Sequence, residues 1–121
     1  MDKISLGEKF ALFSETWTPK IVAQSNGQLV KLAKGAGELM WHTHENEDEL
    51  FFVFHGELTI QLRDRNVVLG PGEMFVVPQG VEHCPLAEPN TQFMMIEPAS
   101  TQHTGTHKTA ITVDVAEQEW T

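Results

Sequence analysis

Residues 41–56 read WHTHENEDELFFVFHG, and how this stretch is read decides the fold. ELFFVF is an apolar run of strand length, bounded by an acidic cluster on one side and Gly56 on the other. Just before it stand His42 and His44, two positions apart. Side chains alternate along a strand, so both imidazoles point to one face while Thr43 points to the other. Glu49 lies five positions beyond His44, an odd step that an unbroken strand would turn to the opposite face. The intervening ENED must therefore loop or bulge and reset the parity. With that reset, Met40, His42, His44, Glu49, Phe51 and Val53 share the interior face. A carboxylate and two imidazoles among aromatic rings are costly to bury unpaired, and a divalent cation would compensate them. His83, just after Pro78-Gln79-Gly80, offers a third imidazole. Pro78 and Gly80 there suit the second and fourth positions of a type I turn.

Outward from this stretch the chain is a series of short apolar runs separated by turn residues. KIVAQ and QLVKLAK flank Ser25-Asn26-Gly27, and Asn-Gly between apolar runs signals a hairpin. Gly35 and Gly37 are expected to break the second of these runs. ELTIQLRD turns near Asp64-Arg65 into NVVL, Gly70-Pro71-Gly72 turns into EMFVVP, and VEHCPL and TQFMMIE read as two further strands. Residues 4–13 carry Ile4, Leu6, Phe10 and Phe13 at the spacing of a short N-terminal helix or arm. Residues 98–109 read as a polar loop and 110–115 as a terminal strand. Many short strands with Gly/Pro turns and almost no helix predict an all-β barrel or double-sheet sandwich.

A chain of 121 residues, 40% hydrophobic and 21% charged, fits one domain over residues 1–121. It carries 8 Lys+Arg against 17 Asp+Glu, a net charge of -9 that would repel a phosphate backbone. Residues 35–62 and 66–107 hold no Lys or Arg at all, so no basic stripe is available and no nucleic-acid partner is expected. No apolar stretch is long enough to span a bilayer, and MDKISLGEKF has no apolar signal core. The single cysteine, Cys84, fits a reducing compartment and a cytoplasmic protein.

From His42 onward the residues resemble the two signature motifs of the cupin superfamily. His42-x-His44-x4-Glu49-x6-Gly56 matches the first, G-x5-H-x-H-x3/4-E-x6-G, although Gly35 is one position early and Gly37 one late for its opening glycine. Gly72, Pro78, Gly80 and His83 match the second, G-x5-P-x-G-x2-H-x3-N, with Ala87 in place of the asparagine. The likeness spans roughly residues 29–96, and the chain also looks like small single-domain bacterial cupins labelled mannose-6-phosphate-isomerase-like. The resemblance implies a jelly-roll barrel, or double-stranded β-helix, in which His42, His44, Glu49 and His83 bind one metal. Three nitrogens and an oxygen suit Fe, Mn, Ni, Co or Zn, and a six-coordinate ion would keep two open positions. The resemblance also implies a homodimer.

These readings lead to a metalloenzyme acting on a small molecule, by dioxygenase-like chemistry or by metal-assisted isomerisation or lyase chemistry. Met40, Phe51 and Val53 are expected to line the pocket, and His55 and Glu82 are the candidate acid–base groups if the fold turns them inward. A sugar phosphate would need cationic donors. Lys20, Lys31, Lys34, Arg63 and Arg65 are expected to face solvent, so the substrate is expected to be non-phosphorylated. The alternative is a binding or sensor module with a structural metal. Cys84 reads as a buried, apolar-like thiol. His103 and His107 read as loop residues, and Trp17 and Trp120 as fasteners of the two ends.

Overall fold

The computed structural model describes residues 1–99 and 119–121. The loop expected over 98–109, beyond Ala99, and the strand expected over 110–115 lie outside the described residues, as do His103 and His107. A short helix, α1 (Leu6–Phe10), precedes strands β1 (Lys20–Ser25), β2 (Gln28–Glu38), β3 (Glu49–His55), β4 (Leu58–Leu62), β5 (Asn66–Leu69), β6 (Met74–Val77), β7 (His83–Pro98) and β8 (Glu119–Trp120). No helix among the described residues is long and apolar enough to cross a membrane.

The hairpin read from Asn-Gly is present: β1 and β2 pair antiparallel down to Ser25↔Gln28. Asn26 and Gly27 both have positive φ, 51° and 76°, which matches the turn to the strand twist. β7 is the strand that both halves of the barrel share. Its C-terminal half lies between β2 and β3, with Val30 and Leu50 both opposite Ile96. Its N-terminal half pairs with β4 and with the end of β2 at Glu38↔Leu86. The two strands expected from VEHCPL and TQFMMIE are therefore one strand. It turns a corner between Ala87 and Thr91, where Asn90 takes φ 66°. Likewise Gly35 and Gly37 do not break β2; the register shifts between them and the strand continues, with Gly37 at φ 79°. A bulge lets one strand bend from one sheet into the other without surrendering its ladder.

Alternation then sorts the side chains. Phe51, Val53, Leu58, Ile60, Phe93 and Met95 belong to the buried core inside the barrel. A second cluster, Phe10, Phe13, Val22 and Leu32, sits on the outside of the β1–β2 face under α1. That helix has five residues, too few to be stable alone. Ser5 caps it by accepting the Glu8 N–H, and Phe10, stacked on Phe54 at 5.5 Å, holds it in place. Burying Phe10 contributes roughly 1.5–3 kcal/mol.

The expectation that all five cations face solvent fails for two. Lys20 is 4% exposed, bound to Glu15 and Glu119, and Lys31 is fully buried against Glu97. Lys31 shares its face with Leu29 and Ala33, the interior face of β2, so its strand parity sends it inward.

The β3–β4 turn is locked to the corner of β7. The Thr91 hydroxyl accepts the Glu57 N–H at 3.2 Å and donates to the Glu88 carbonyl at 2.7 Å. Gly56, at φ 88°, packs so closely here that a Cβ would stand 2.6 Å from Thr91 Oγ1 and 2.7 Å from its Cα. Gly56→Ala therefore combines a left-handed backbone with a clash against main chain. It should lower unfolding free energy in urea by about 1–3 kcal/mol or more, and an unchanged midpoint would contradict this packing.

Candidate metal centre

The site is assembled by backbone pairing rather than by one strand. His42 follows β2 and forms an isolated antiparallel bridge with His83, the first residue of β7. The His42 N–H donates to the His83 carbonyl at 2.9 Å, and the His83 N–H returns the bond at 3.0 Å. The His44 carbonyl accepts the Gly80 N–H, and Asp48 Oδ1 accepts the Gln79 N–H. Residues 45–48 thus loop out, as the parity argument requires, and are stitched to the 78–81 turn. That turn differs from the expected type I. Val81 N–H bonds back to the Pro78 carbonyl, so Pro78 is its first residue and Gly80 its third, at φ 78°, the position where a type II turn needs glycine. Glu49 then opens β3 opposite Val77.

These contacts bring His42, His44, Glu49 and His83 together, each with a potential ligand atom within 4.8 Å of the others. All four are buried, at 4% exposure or less. The Nδ1 atoms of His42 and His83 face the carbonyls of Met40 and Val81 at 3.0 and 2.9 Å. A carbonyl accepts only from a proton-bearing nitrogen, so in the neutral form of each ring Nε2 is left with the lone pair that a metal needs. His44 Nε2 lies 3.3 Å from Glu49 Oε2 and has no hydrogen-bond partner; His83 Nε2 lies 3.4 Å from Glu49 Oε1. Three imidazoles converging on a carboxylate, with one buried nitrogen left orphaned, fit a divalent cation of the transition series.

The electrostatics agree. Burial pushes His42 down to about 4, with the neighbouring His83 adding to the effect, so its ring is neutral and ready to ligate at pH 7. Burial alone would raise the Glu49 carboxyl, but the neighbouring His44 and His83 side chains hold it well below the usual carboxylate range. Glu97 moves the other way, raised by burial and then by the charge on Glu49.

A cavity opens beside the cluster. His42 and Glu49 supply its polar floor, and Phe51, Phe93, Met95 and Trp17 much of its wall. Its free space is about 10 Å³, roughly the room needed by the centre of one water molecule. Of the expected lining residues, Phe51 borders the cavity, and its ring stands edge-on to His83 with centroids 6.2 Å apart. Met40 and Val53 are not among the bordering residues. Residues 39–41 leave the strand, so Leu39 takes the place expected of Met40, whose carbonyl anchors His42 instead. Val53, fully buried, sits further along β3 in the packed core. The two candidate acid–base groups also lie elsewhere. His55 is exposed at the far end of β3, its Nδ1 bonded to the Asn90 carbonyl. Glu82 points outward to Arg63, whose guanidinium stacks 3.7 Å over Trp41. Cys84 is buried, and burial pushes its thiol up to about 11, away from nucleophilic use.

Sequence reasoning missed Trp17 and the pair Lys31–Glu97. Trp17 reaches the site from the segment between α1 and β1, at φ 55°. Its indole N–H donates to the Ala36 carbonyl and its ring packs on Phe93 and against Gly35. No local pattern marks such a residue. Lys31 did carry a signal, its interior parity.

A pH dependence follows for metal-free protein. The His42 side chain takes up a proton near pH 6.5 when unfolded but only near pH 4 when folded. Between those values the unfolded state binds more protons, so stability is full above about 6.5 and declines as pH falls toward 4. The contribution is about 3 kcal/mol in all. Urea titrations of chelator-treated protein at pH 7 and pH 5 should show a drop that is clearly smaller in His42→Asn; equal drops would refute it.

Known proteins place this geometry. Residues 28–98, which include all four clustered side chains, match the Cupin domain family. The chain is 34% identical over 112 residues to the uncharacterized protein YdbB of Bacillus subtilis, covering 92% of this chain and 85% of that one. A cupin-2 domain containing protein from Shewanella frigidimarina superposes with a TM-score of 0.77 at 45% identity, over 78% of this chain and 93% of that one. Protein NMB1881 from Neisseria meningitidis gives a TM-score of 0.73 at 32% identity, over 80% and 99%. The all-β barrel, its shared strand and its inward histidines are those of a cupin, and the chain belongs to the cupin domain family.

Proposed function

We propose that this cupin holds one divalent transition metal through His42, His44, Glu49 and His83 and acts there on a small, non-phosphorylated, largely apolar molecule. The observation that carries this reading is the orphaned, buried His44 Nε2 beside Glu49 on the floor of an apolar cavity. Nitrogen-rich donors favour Fe, Mn, Ni, Co or Zn over magnesium or calcium. When bound, such an ion supplies Lewis acidity or, for iron and manganese, redox chemistry of the dioxygenase kind. The chain's own residues do the rest. The four donors hold the ion in place, Phe51, Phe93 and Met95 keep water out, and Trp17 limits what can enter.

Among the residues that border the cavity none is Lys or Arg, which argues against a sugar phosphate and against the isomerase label attached to similar proteins. One observation favours a second reading, a binding or sensor module. The titratable groups on the cavity wall are His42 and Glu49, both committed to the cluster, while His55 and Glu82 face elsewhere. Any proton transfer would then run through bound water or the ligand itself, a requirement that dioxygenase chemistry tolerates better than isomerisation does.

The proposal includes a homodimer in a reducing, cytoplasmic setting. On the outer face of β6, Met74 and Val76 are 57% and 42% exposed, beside the half-buried Leu50 and Phe52 of β3. Such an apolar sheet face favours a second copy over water.

Two measurements test these statements. Elemental mass spectrometry on untagged protein should find near-stoichiometric iron or manganese, reduced at least tenfold in His44→Ala. Zinc alone would favour the binding module, and a metal-free, fully folded wild type would refute the centre. Val76→Lys should convert a dimer to a monomer in light scattering, whereas a wild type that is already monomeric disposes of the dimer.

A further inference from the structure

Behind Glu49 lies an ion pair that the proposed chemistry does not use. Lys31 of β2 and Glu97 of β7 both point into the barrel, at 0% and 1% exposure, with Lys31 Nζ 2.5 Å from Glu97 Oε1. Their positions follow from alternation: Leu29, Lys31 and Ala33 share the interior face of β2, and Phe93, Met95 and Glu97 that of β7. Neither is among the residues bordering the cavity. Taking two charges out of water costs several kcal/mol per ion, and a matched apolar pair would hold two strands together at least as well. Stability therefore does not explain the pair. Where it stands does: the antiparallel register that sets Leu50 opposite Ile96 places Glu97 beside Glu49 one step further along the ladder, both buried, and Glu97 Oε2 has no hydrogen-bond partner among the described residues.

The groups thus follow one another inside the barrel, from Lys31 to its partner Glu97, to the neighbouring Glu49 and to the histidines. A second carboxyl group beside Glu49 would repel it if uncompensated, and Lys31 supplies the compensating charge. With that charge in place, Glu97 can stand next to Glu49, whose two oxygens lie 3.3 Å from His44 Nε2 and 3.4 Å from His83 Nε2. We propose that Lys31–Glu97 is an outer layer of the metal centre, a positioning pair that fixes the Glu49 carboxylate for the ion. The inference rests on the metal reading above. Groups that orient a ligating side chain from behind typically change metal affinity by 10–100-fold when removed.

The test uses the full chain, stripped of metal and titrated with cobalt(II) alone. Binding is followed by chelator competition and by the visible spectrum of the bound ion, and thermal melting of the metal-free protein is followed in parallel. Lys31→Met/Glu97→Met replaces both charges with side chains of similar size. It should fold and melt close to wild type, yet bind cobalt about 10–100-fold more weakly and with an altered spectrum. Lys31→Met/Glu97→Gln keeps an amide that can hydrogen-bond to Glu49, and should recover most of the affinity and the wild-type spectrum. Equal affinity and spectrum in wild type and the Met/Met variant would overturn the inference. So would a marked loss of melting temperature in both variants, because the pair would then be holding the barrel rather than Glu49. A wild type that binds no cobalt would remove the metal reading itself, a result distinct from these because it appears before any substitution is made.

Discussion

A carboxylate buried among phenylalanines has to be answered by positive charge or by donors, and the interior of this barrel is arranged around that demand at Glu49. On one side stand the Nε2 atoms of His44 and His83, at 3.3 and 3.4 Å from its two oxygens. On the neighbouring strand stands Glu97, itself paired with Lys31. A divalent cation held between the imidazoles and the carboxylate would meet that demand directly. Burial sharpens this requirement, because the same apolar wall that dries the cavity also withholds the water that would otherwise solvate the carboxylate.

The chain path serves that arrangement. β7 carries His83 at one end and Glu97 near the other, and it can do both because it bends at Glu88–Asn90, pairing with β4 before the bend and with β3 after it. The bend is held by the Thr91 hydroxyl and made possible by the bare Cα of Gly56. The His42–His83 bridge then closes the gap between the end of β2 and the start of β7 with two backbone hydrogen bonds, which brings the imidazole centroids to 4.3 Å. His42 and His44 lie between β2 and β3, outside both strands, and are held there by backbone hydrogen bonds to His83 and Gly80. Even residues 45–48, which leave the sheet, are tied back to the 78–81 turn by Asp48 and His44.

The cavity wall bears on the proposed function. Trp17 comes from outside the barrel, lies on Phe93 and against Gly35, and reduces the free space to about one water. The smallness and apolar character of this space, together with a floor made only of cluster residues, favour chemistry performed at an ion over chemistry performed by an independent acid or base. Glu82, the expected candidate for one, is held outside by Arg63. Adjacent strand positions point to opposite faces, so a residue next to His83 could hardly have turned inward with it.

The sequence by itself determined the all-β class, the Asn26-Gly27 hairpin, and the four side chains that meet at the centre. The class, the hairpin and the trio His42, His44 and Glu49 are encoded locally, by alternation, turn chemistry and short spacing, whereas His83 is legible through the spacing of the second motif. The tertiary structure decided the rest. It joined two expected strands into β7, carried β2 through its glycines, withdrew Met40 and Val53 from the cavity, and set Trp17 in the wall. It also buried Lys31 against Glu97, a pairing across 66 positions that no local pattern announces. Parity says which face a residue takes, but only the packing of one strand against another says whether that face meets water, a second charge or a ligand of the metal.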